Sequence, residues 1–154
     1  MKKKMMMEEL TLQPDLLVKK IKENLLSQKA KLEKYLDILE KEENDITIKD
    51  ADKLLEHIKV EQNIIEELNS FKKILEPLEK IYFNLPYKKE DAIFKLKESL
   101  NNLSTKVKIK AENNKKMLDI ELEKIKVELN KLNKNSFQKN SYDISTSKFI
   151  DING

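Results

Sequence analysis

Glycine and proline are almost absent from the interior of this 154-residue chain. The single glycine is the last residue, Gly154, and the three prolines are Pro14, Pro77 and Pro86. Sheets need turn residues between their strands, whereas long helices require only that nothing interrupts them. A high content of Lys, Glu, Leu and Ile with few aromatic residues is typical of long, solvent-exposed helices. The sequence therefore predicts an all-α fold, an elongated antiparallel three-helix bundle or coiled coil.

Three helical stretches are predicted within a helical region of residues 1–134, and the third is overlong. We place them at residues 15–43, 50–82 and 88–133. At a rise of about 1.5 Å per residue they would span roughly 44, 50 and 69 Å. We expect the second helix to kink or split near Pro77, because proline lacks an N–H and clashes with the preceding turn. Residues 135–154, which are polar and rich in Ser and Asn, are predicted to form a flexible tail.

Apolar residues recur along both of the first two stretches, and in the first they alternate at three- and four-residue spacings, as in a coiled coil. The first stripe contains Val18, Ile21, Leu25, Leu32, Tyr35 or Leu36, and Leu39, with Gln28 among them. The second contains Ala51, Leu54, Leu55, Ile58, Ile65, Leu68, Phe71 or Lys72, Leu75, Leu78 and Ile81. Either Thr47 or Asp50 is expected to cap the second helix at its N-terminus. Residues 40–84 carry 7 Lys and 12 acidic residues between two basic regions, which favours antiparallel packing.

The third stretch carries an apolar stripe that continues beyond the length of the other two. Its last residues are Leu118, Leu122, Ile125, Leu129 and Leu132. A polar interval between Val107 and Leu118 marks where a packed body would end and a binding arm would begin. An apolar stripe without a partner in its own chain indicates an interaction surface. Its periodicity fits capture of another protein's amphipathic helix and self-association into a homodimer equally well.

Charge and residue content exclude several classes of function. All 31 basic residues are Lys, and the formal net charge is only +3, so the absence of Arg argues against a nucleic-acid partner. The chain has no Cys and one His, His57, which has Lys53 and Glu61 one helical turn away. No glycine-rich phosphate loop or paired metal-ligand motif is present. We therefore expect no enzyme activity, no cofactor and no metal site.

Nothing in the sequence predicts insertion into a membrane. No uninterrupted apolar run exceeds three residues, the length of the run at residues 16–18, and this is far too short for a span. The basic start at residues 2–4 is followed by Glu8 and Glu9 rather than by the apolar core of a signal peptide. Met1, Met5, Met6 and Met7 are alternative start residues. The predicted localisation is cytoplasmic.

Aromatic residues cluster near the second predicted turn, where Tyr82, Phe83 and Tyr87 occur close together. Their simplest interpretation is a hydrophobic plug that closes one end of the bundle. A ligand pocket is the less favoured interpretation.

The middle of the chain resembles the FlgN family of flagellar export chaperones. The resemblance lies in residues 32–81, where a long first helix ends in acidic residues and an Asp-containing turn follows. It includes the second-helix pattern Leu54, Leu55, Glu61, Ile64, Ile65 and Leu68. The final residues 147–154 are similar to a short terminal motif that follows the last helix in that family.

The resemblance implies a cytoplasmic chaperone of the flagellar type III export system. Its partners would be hook-associated proteins of the FlgK and FlgL type, which join hook to filament, and components of the export gate. Such a chaperone prevents premature assembly and delivers its client for export through its C-terminal portion. The corresponding residues here are the stripe residues together with Phe137, Tyr142, Phe149 and Ile150 in the tail. The alternative is a structural or adaptor coiled-coil homodimer without a dedicated client.

Overall fold

The computed structural model describes residues 13–136 and the side chains of residues 13–134. Three helices make up nearly all of this range: α1 (Pro14–Ile48), α2 (Ala51–Asn84) and α3 (Asp91–Ser136). No strand occurs between residues 13 and 136, which confirms the predicted all-α class. None of these three helices contains an apolar stretch long enough to cross a lipid bilayer.

The chain divides into two compact units, Met1–Glu112 and Asn113–Gly154. We call them the first unit and the second unit. The boundary lies inside α3, within the polar interval between Val107 and Leu118. The first unit therefore contains α1, α2 and the beginning of α3, and the described part of the second unit is helical.

Helix α1 begins where the sequence predicts and ends later. Pro14 occupies the first turn, where its missing N–H costs nothing, and Asp15 places an acidic side chain near the positive end of the helix dipole. The predicted end at residue 43 is wrong, because the helix continues to Ile48. Asp45 and Ile46 are both buried, so tertiary contacts hold this last turn in helical conformation.

A two-residue turn joins α1 to α2. Lys49 adopts a left-handed conformation with φ 60°, which reverses the chain and directs its N–H back to the carbonyl of Ile46 at 3.2 Å. Asp50 is the N-cap of α2, since its Oδ1 accepts a hydrogen bond from the N–H of Lys53 at 3.1 Å. Of the two predicted caps, Asp50 is therefore correct. Thr47 instead donates its hydroxyl to the carbonyl of Glu43 within α1.

Helix α2 runs without interruption through Pro77, so it is not split at that residue; a kink there, the other predicted outcome, stays a prediction. Its buried side chains are Ile64, Leu68, Leu75, Leu78 and Tyr82. Ile65, which the sequence pattern placed in the stripe, is 40% exposed, and the neighbouring Ile64 is buried in its place. At Ile64, the buried face of α2 is therefore offset by about one residue from the face that the sequence pattern predicts.

The connection from α2 to α3 is held by hydrogen bonds to the last turn of α2. The ammonium group of Lys89 donates to the carbonyls of Tyr82 and Leu85, at 2.5 and 2.7 Å. The hydroxyl of Tyr82 accepts the N–H of Glu90 at 2.7 Å. Leu85 is extended, with ψ 143°, as a residue before proline should be. The carbonyl of Tyr82, which also accepts the N–H of Leu85 at 3.3 Å, and the carbonyl of Leu85 thus have hydrogen-bond partners where α2 ends.

One hydrophobic cluster draws on all three helices of the first unit. From α1 it contains Leu17, Ile21, Leu25, Leu32, Tyr35, Ile38 and Leu39; from α2, Ile64, Leu68, Leu75, Leu78 and Tyr82; and from α3, Ile93, Leu100 and Val107. Leu17, Ile21, Leu25, Leu39 and Ile64 are the largest fully buried side chains. Because each fully buried aliphatic side chain contributes about 1.5–3 kcal/mol, this cluster is the main source of stability for the first unit.

Candidate partner-binding surface

The apolar face of the second unit is formed by residues 118–132 of α3. We call Leu118, Leu122, Ile125, Leu129 and Leu132 the stripe, as the sequence predicts. Their spacings of four, three, four and three residues keep them on one face of the helix. Leu118, Leu122, Ile125 and Leu129 are half-buried, whereas Leu132 is 62% exposed. The stripe thus presents partly accessible aliphatic surface along about four helical turns.

Charged side chains border the stripe on both sides. Glu121 lies beside it, and its Oε1 accepts a hydrogen bond from the ammonium group of Lys124 at 3.3 Å. Glu128 and Lys126 lie on opposite sides of the stripe and are exposed. A helix that packs on the stripe must therefore place its own flanking residues next to these charges.

Two further apolar residues of the second unit are not in the stripe. Ile120 is 56% exposed and Val127 is 44% exposed, and both lie on the opposite side of the helix. They are single exposed residues among charged neighbours, which is ordinary for a protein surface. They provide matched positions on the opposite face for testing the stripe.

The predicted tail contacts lie outside the described residues. This applies to Phe137, Tyr142, Phe149 and Ile150, for which the prediction stands as made.

The first unit contains polar contacts that cross from α1 to α2. The hydroxyl of Tyr35 donates to Oε1 of Glu61 at 2.6 Å. Burial raises the pKa of Tyr35, and the hydrogen bond and negative charge of Glu61 raise it further. Glu61 is therefore the partner of Tyr35, although the sequence placed it one helical turn from His57.

His57 makes its contact with Asp45 of α1, at 2.5 Å from Nδ1 to Oδ2, and not with Lys53 or Glu61. No local sequence pattern indicates this pair, because the two residues come together only when α1 and α2 pack.

Asn24 and Gln28 form a buried polar pair within the hydrophobic cluster. Nε2 of Gln28 donates to Oδ1 of Asn24 at 2.7 Å, and Nδ2 of Asn24 donates to the carbonyl of Phe71 at 3.0 Å. The sequence pattern places Gln28 on the apolar face of α1, and the hydrogen bond to Asn24 satisfies its amide group there. Polar residues in a helical core favour one register over others.

The aromatic residues near the second turn do not form a common plug. Tyr82 is 5% exposed and belongs to the core, but Phe83 and Tyr87 are 54% and 56% exposed. Phe94 at the start of α3 is 72% exposed. The ammonium group of Lys97 lies 5.4 Å from the ring centroid of Phe83, within range for a cation–π interaction. The plug prediction is therefore correct for Tyr82 and wrong for its two neighbours.

One groove of the first unit is bordered by charged side chains. It has a volume of about 400 Å³ and lies between α1 and α3, where Lys29 and Glu33 face Lys95, Glu98 and Lys106. Between residues 13 and 134 there is no group of three or more side chains of the types that hold a metal ion. This groove between α1 and α3 is thus lined by side chains of both charges.

Comparisons of the chain with protein-family models, curated proteins and solved structures return no match.

Proposed function

We propose that the protein captures an amphipathic helix of another protein on the stripe of the second unit. The observation that carries this proposal is the aliphatic face of residues 118–132, whose last member, Leu132, is 62% exposed. Helix-in-groove recognition uses apolar anchors at such three- and four-residue spacings.

The first unit serves as the scaffold, and we infer that it is an antiparallel three-helix bundle with coiled-coil packing. The order of its contacts supports this arrangement. Three hydrogen bonds join α1 to α2: Asn24 with Phe71, Tyr35 with Glu61, and Asp45 with His57. As the residue number increases along α1, the residue number of the partner in α2 decreases, as in an antiparallel pair. Lys22 pairs with Glu90, and Glu43 pairs with Lys110. The residue numbers of the paired residues thus increase together, as they would if α1 and α3 ran in the same direction.

The partner class that we propose is a flagellar export client. The resemblance of residues 32–81 to FlgN chaperones supports it. The clients would be hook-associated proteins of the FlgK and FlgL type, bound in the cytoplasm and delivered to the export gate. This role requires no catalytic group, cofactor or metal.

The proposed mechanism is physical shielding. A client helix packs its apolar face along the stripe, which prevents that face from driving premature assembly. Removing apolar surface from water contributes about 25 cal/mol per Å², and the stripe is short, so the gain is modest. The tail residues Phe137, Tyr142, Phe149 and Ile150 would order on the bound client at an entropic cost. Modest affinity suits a chaperone that must release its client at the export gate.

The test is binding of the full chain to purified hook-associated proteins by isothermal titration calorimetry. We expect the double variant Leu122→Ala and Leu129→Ala to weaken binding at least about tenfold, because two apolar anchors are truncated. The matched control, Ile120→Ala with Val127→Ala, removes aliphatic surface from the opposite face and should change the Kd less than about threefold.

A chain that binds none of the hook-associated proteins would refute the client assignment. Equal losses in the two double variants would refute the stripe as the binding face.

A further inference from the structure

The stripe has the spacing of a short coiled-coil seam, which assigns a heptad position to every residue around it. Leu122 and Leu129 take the a positions, and Leu118, Ile125 and Leu132 take the d positions. The seam is continuous from residue 118 to residue 132. A helix packed against it would therefore meet five aliphatic layers.

The g side of this seam is acidic, and the e side carries charges of both signs. The g positions are Glu121 and Glu128, and the charged e positions are Asp119 and Lys126. Lys126 and Glu128 are exposed, and the side chain of Glu121 is 23% exposed. All three side chains are positioned to meet a neighbouring helix, since e and g side chains border the seam in any two-stranded coiled coil.

A second copy of the same helix satisfies these charges in only one orientation. In a parallel, in-register pair, each g residue faces the e residue five positions later in the other chain. Glu121 then faces Lys126 of the second copy twice by symmetry, and Glu128 faces the neutral Asn133. An antiparallel pair instead brings g to g, so that Glu121 and Glu128 face each other with like charge. Charge complementarity therefore favours the parallel pair.

We infer that a second copy of this chain covers the stripe, parallel and in register, when no partner helix occupies it. The exchange between a second copy and a client rests on the proposed function, since the client helix and the second copy would use the same five side chains. Self-association then shields the stripe in the absence of a client, and client binding releases the monomer.

The dimer must be weak for this exchange to work, and the length of the seam makes it so. Fifteen residues cover only about two heptads, and helical associations of that length are marginal in water. The charged positions set orientation rather than strength, because exposed ion pairs contribute little individually.

The experiment is sedimentation equilibrium of the full chain over a wide concentration range at low salt. The wild-type chain should show a monomer–dimer equilibrium. Glu121→Lys and Lys126→Glu should each raise the dimer Kd at least about threefold, because each turns two attractive pairs into two repulsive ones. The chain carrying both substitutions restores opposite charges and should return to within about twofold of the wild-type Kd.

Two control variants have the same changes of net charge at outward positions of the helix. Glu123→Lys matches Glu121→Lys, and Lys131→Glu matches Lys126→Glu; both should leave the dimer Kd within about twofold. Circular dichroism of each variant reports whether the helix itself is retained.

Three outcomes would overturn the inference. The first is a monomer at every concentration, and the second is a trimer or tetramer. The third is a tighter dimer for Glu121→Lys, which would indicate antiparallel pairing because that change relieves the contact between Glu121 and Glu128. These measurements use the chain alone, so they stand apart from client binding. Client binding by a strictly monomeric chain would leave the proposed function intact and remove only the self-association.

Discussion

Nδ1 of His57 lies 2.5 Å from Oδ2 of Asp45, across the turn that joins α1 to α2. Asp45 is 3% exposed, so its carboxylate depends on protein partners in place of water. The same residue accepts the N–H of Asp50 at its backbone carbonyl, at 2.9 Å. Asp45 thereby ties the end of one helix to the beginning of the next.

Replacement of His57 by Ala should destabilise the first unit. A buried carboxylate that loses its hydrogen-bond partner costs about 1–3 kcal/mol in the free energy of unfolding, measurable by urea denaturation. Lys53→Ala is the control, since its side chain is exposed and should change the free energy by less than about 0.5 kcal/mol. Equal losses in the two variants would show that the contact between His57 and Asp45 contributes nothing specific.

Tyr35 should make stability fall at alkaline pH. The pKa of Tyr35 is raised in the folded chain, mainly by burial. The hydrogen bond to Glu61, the negative charge of Glu61 and the negative charge of Glu42 raise the pKa further. A tyrosine has a pKa near 10 when unfolded, so the folded state retains the proton where the unfolded state loses it. The stabilising contribution is present below about pH 10 and is lost as pH rises from there toward the folded pKa.

The measurement for Tyr35 is urea denaturation at about pH 9 and pH 11, on either side of the ordinary pKa. Lysines also titrate in this range, so the comparison is with Tyr35→Phe, which lacks the ionising group. The loss of stability between the two pH values should be smaller in the variant. An identical loss in both proteins would contradict the raised pKa of Tyr35.

The buried pair of Asn24 and Gln28 predicts opposite results for two kinds of substitution. Asn24→Ala leaves Gln28 and the carbonyl of Phe71 without that partner and should cost about 1–3 kcal/mol in unfolding free energy. Replacing both amides by Leu removes the polar groups together and should be near neutral or stabilising. Thermal denaturation followed by circular dichroism distinguishes the two cases. A double Leu variant less stable than Asn24→Ala would argue against this account.

Pro77→Ala should stabilise α2. The helix continues on both sides of Pro77, yet proline cannot donate a hydrogen bond to the preceding turn. Restoring that donor should raise the free energy of unfolding by up to about 3 kcal/mol in urea. Glu76→Ala, at the exposed neighbouring position, is the control and should have little effect. Destabilisation by Pro77→Ala would mean that packing of Leu78 and Tyr82 depends on the backbone shape that proline imposes.

Helix class and the approximate extent of the helices could be read from the sequence. Few residues interrupt helices, and the predicted starts at residues 15, 50 and 88 lie within three residues of the observed ones. The N-cap at Asp50 was one of two alternatives, because Thr and Asp both accept a hydrogen bond from the following turn. The stripe of the second unit follows from spacing alone, since helix geometry places those five residues on one face.

The later end of α1 could not be read in the same way. Residues 42–45 form a polar run. A run of this kind is ordinarily interpreted as a solvent-exposed segment beyond the end of a helix. Glu42 and Asp45 are buried here, and Asp45 has its partner 12 residues further along the chain. No local pattern records that contact.

The sequence by itself determined the all-helical class, the three helices and the apolar stripe, because these depend on backbone propensity and on helical periodicity. Only the tertiary structure decided which side chains face the core. Adjacent residues on a helix are about 100° apart, so a wide apolar stripe allows either Ile64 or Ile65 to be buried. Packing against α1 selects Ile64, and the same packing brings Tyr35 to Glu61 and His57 to Asp45. Those choices depend on distances between helices, which a one-dimensional pattern does not contain.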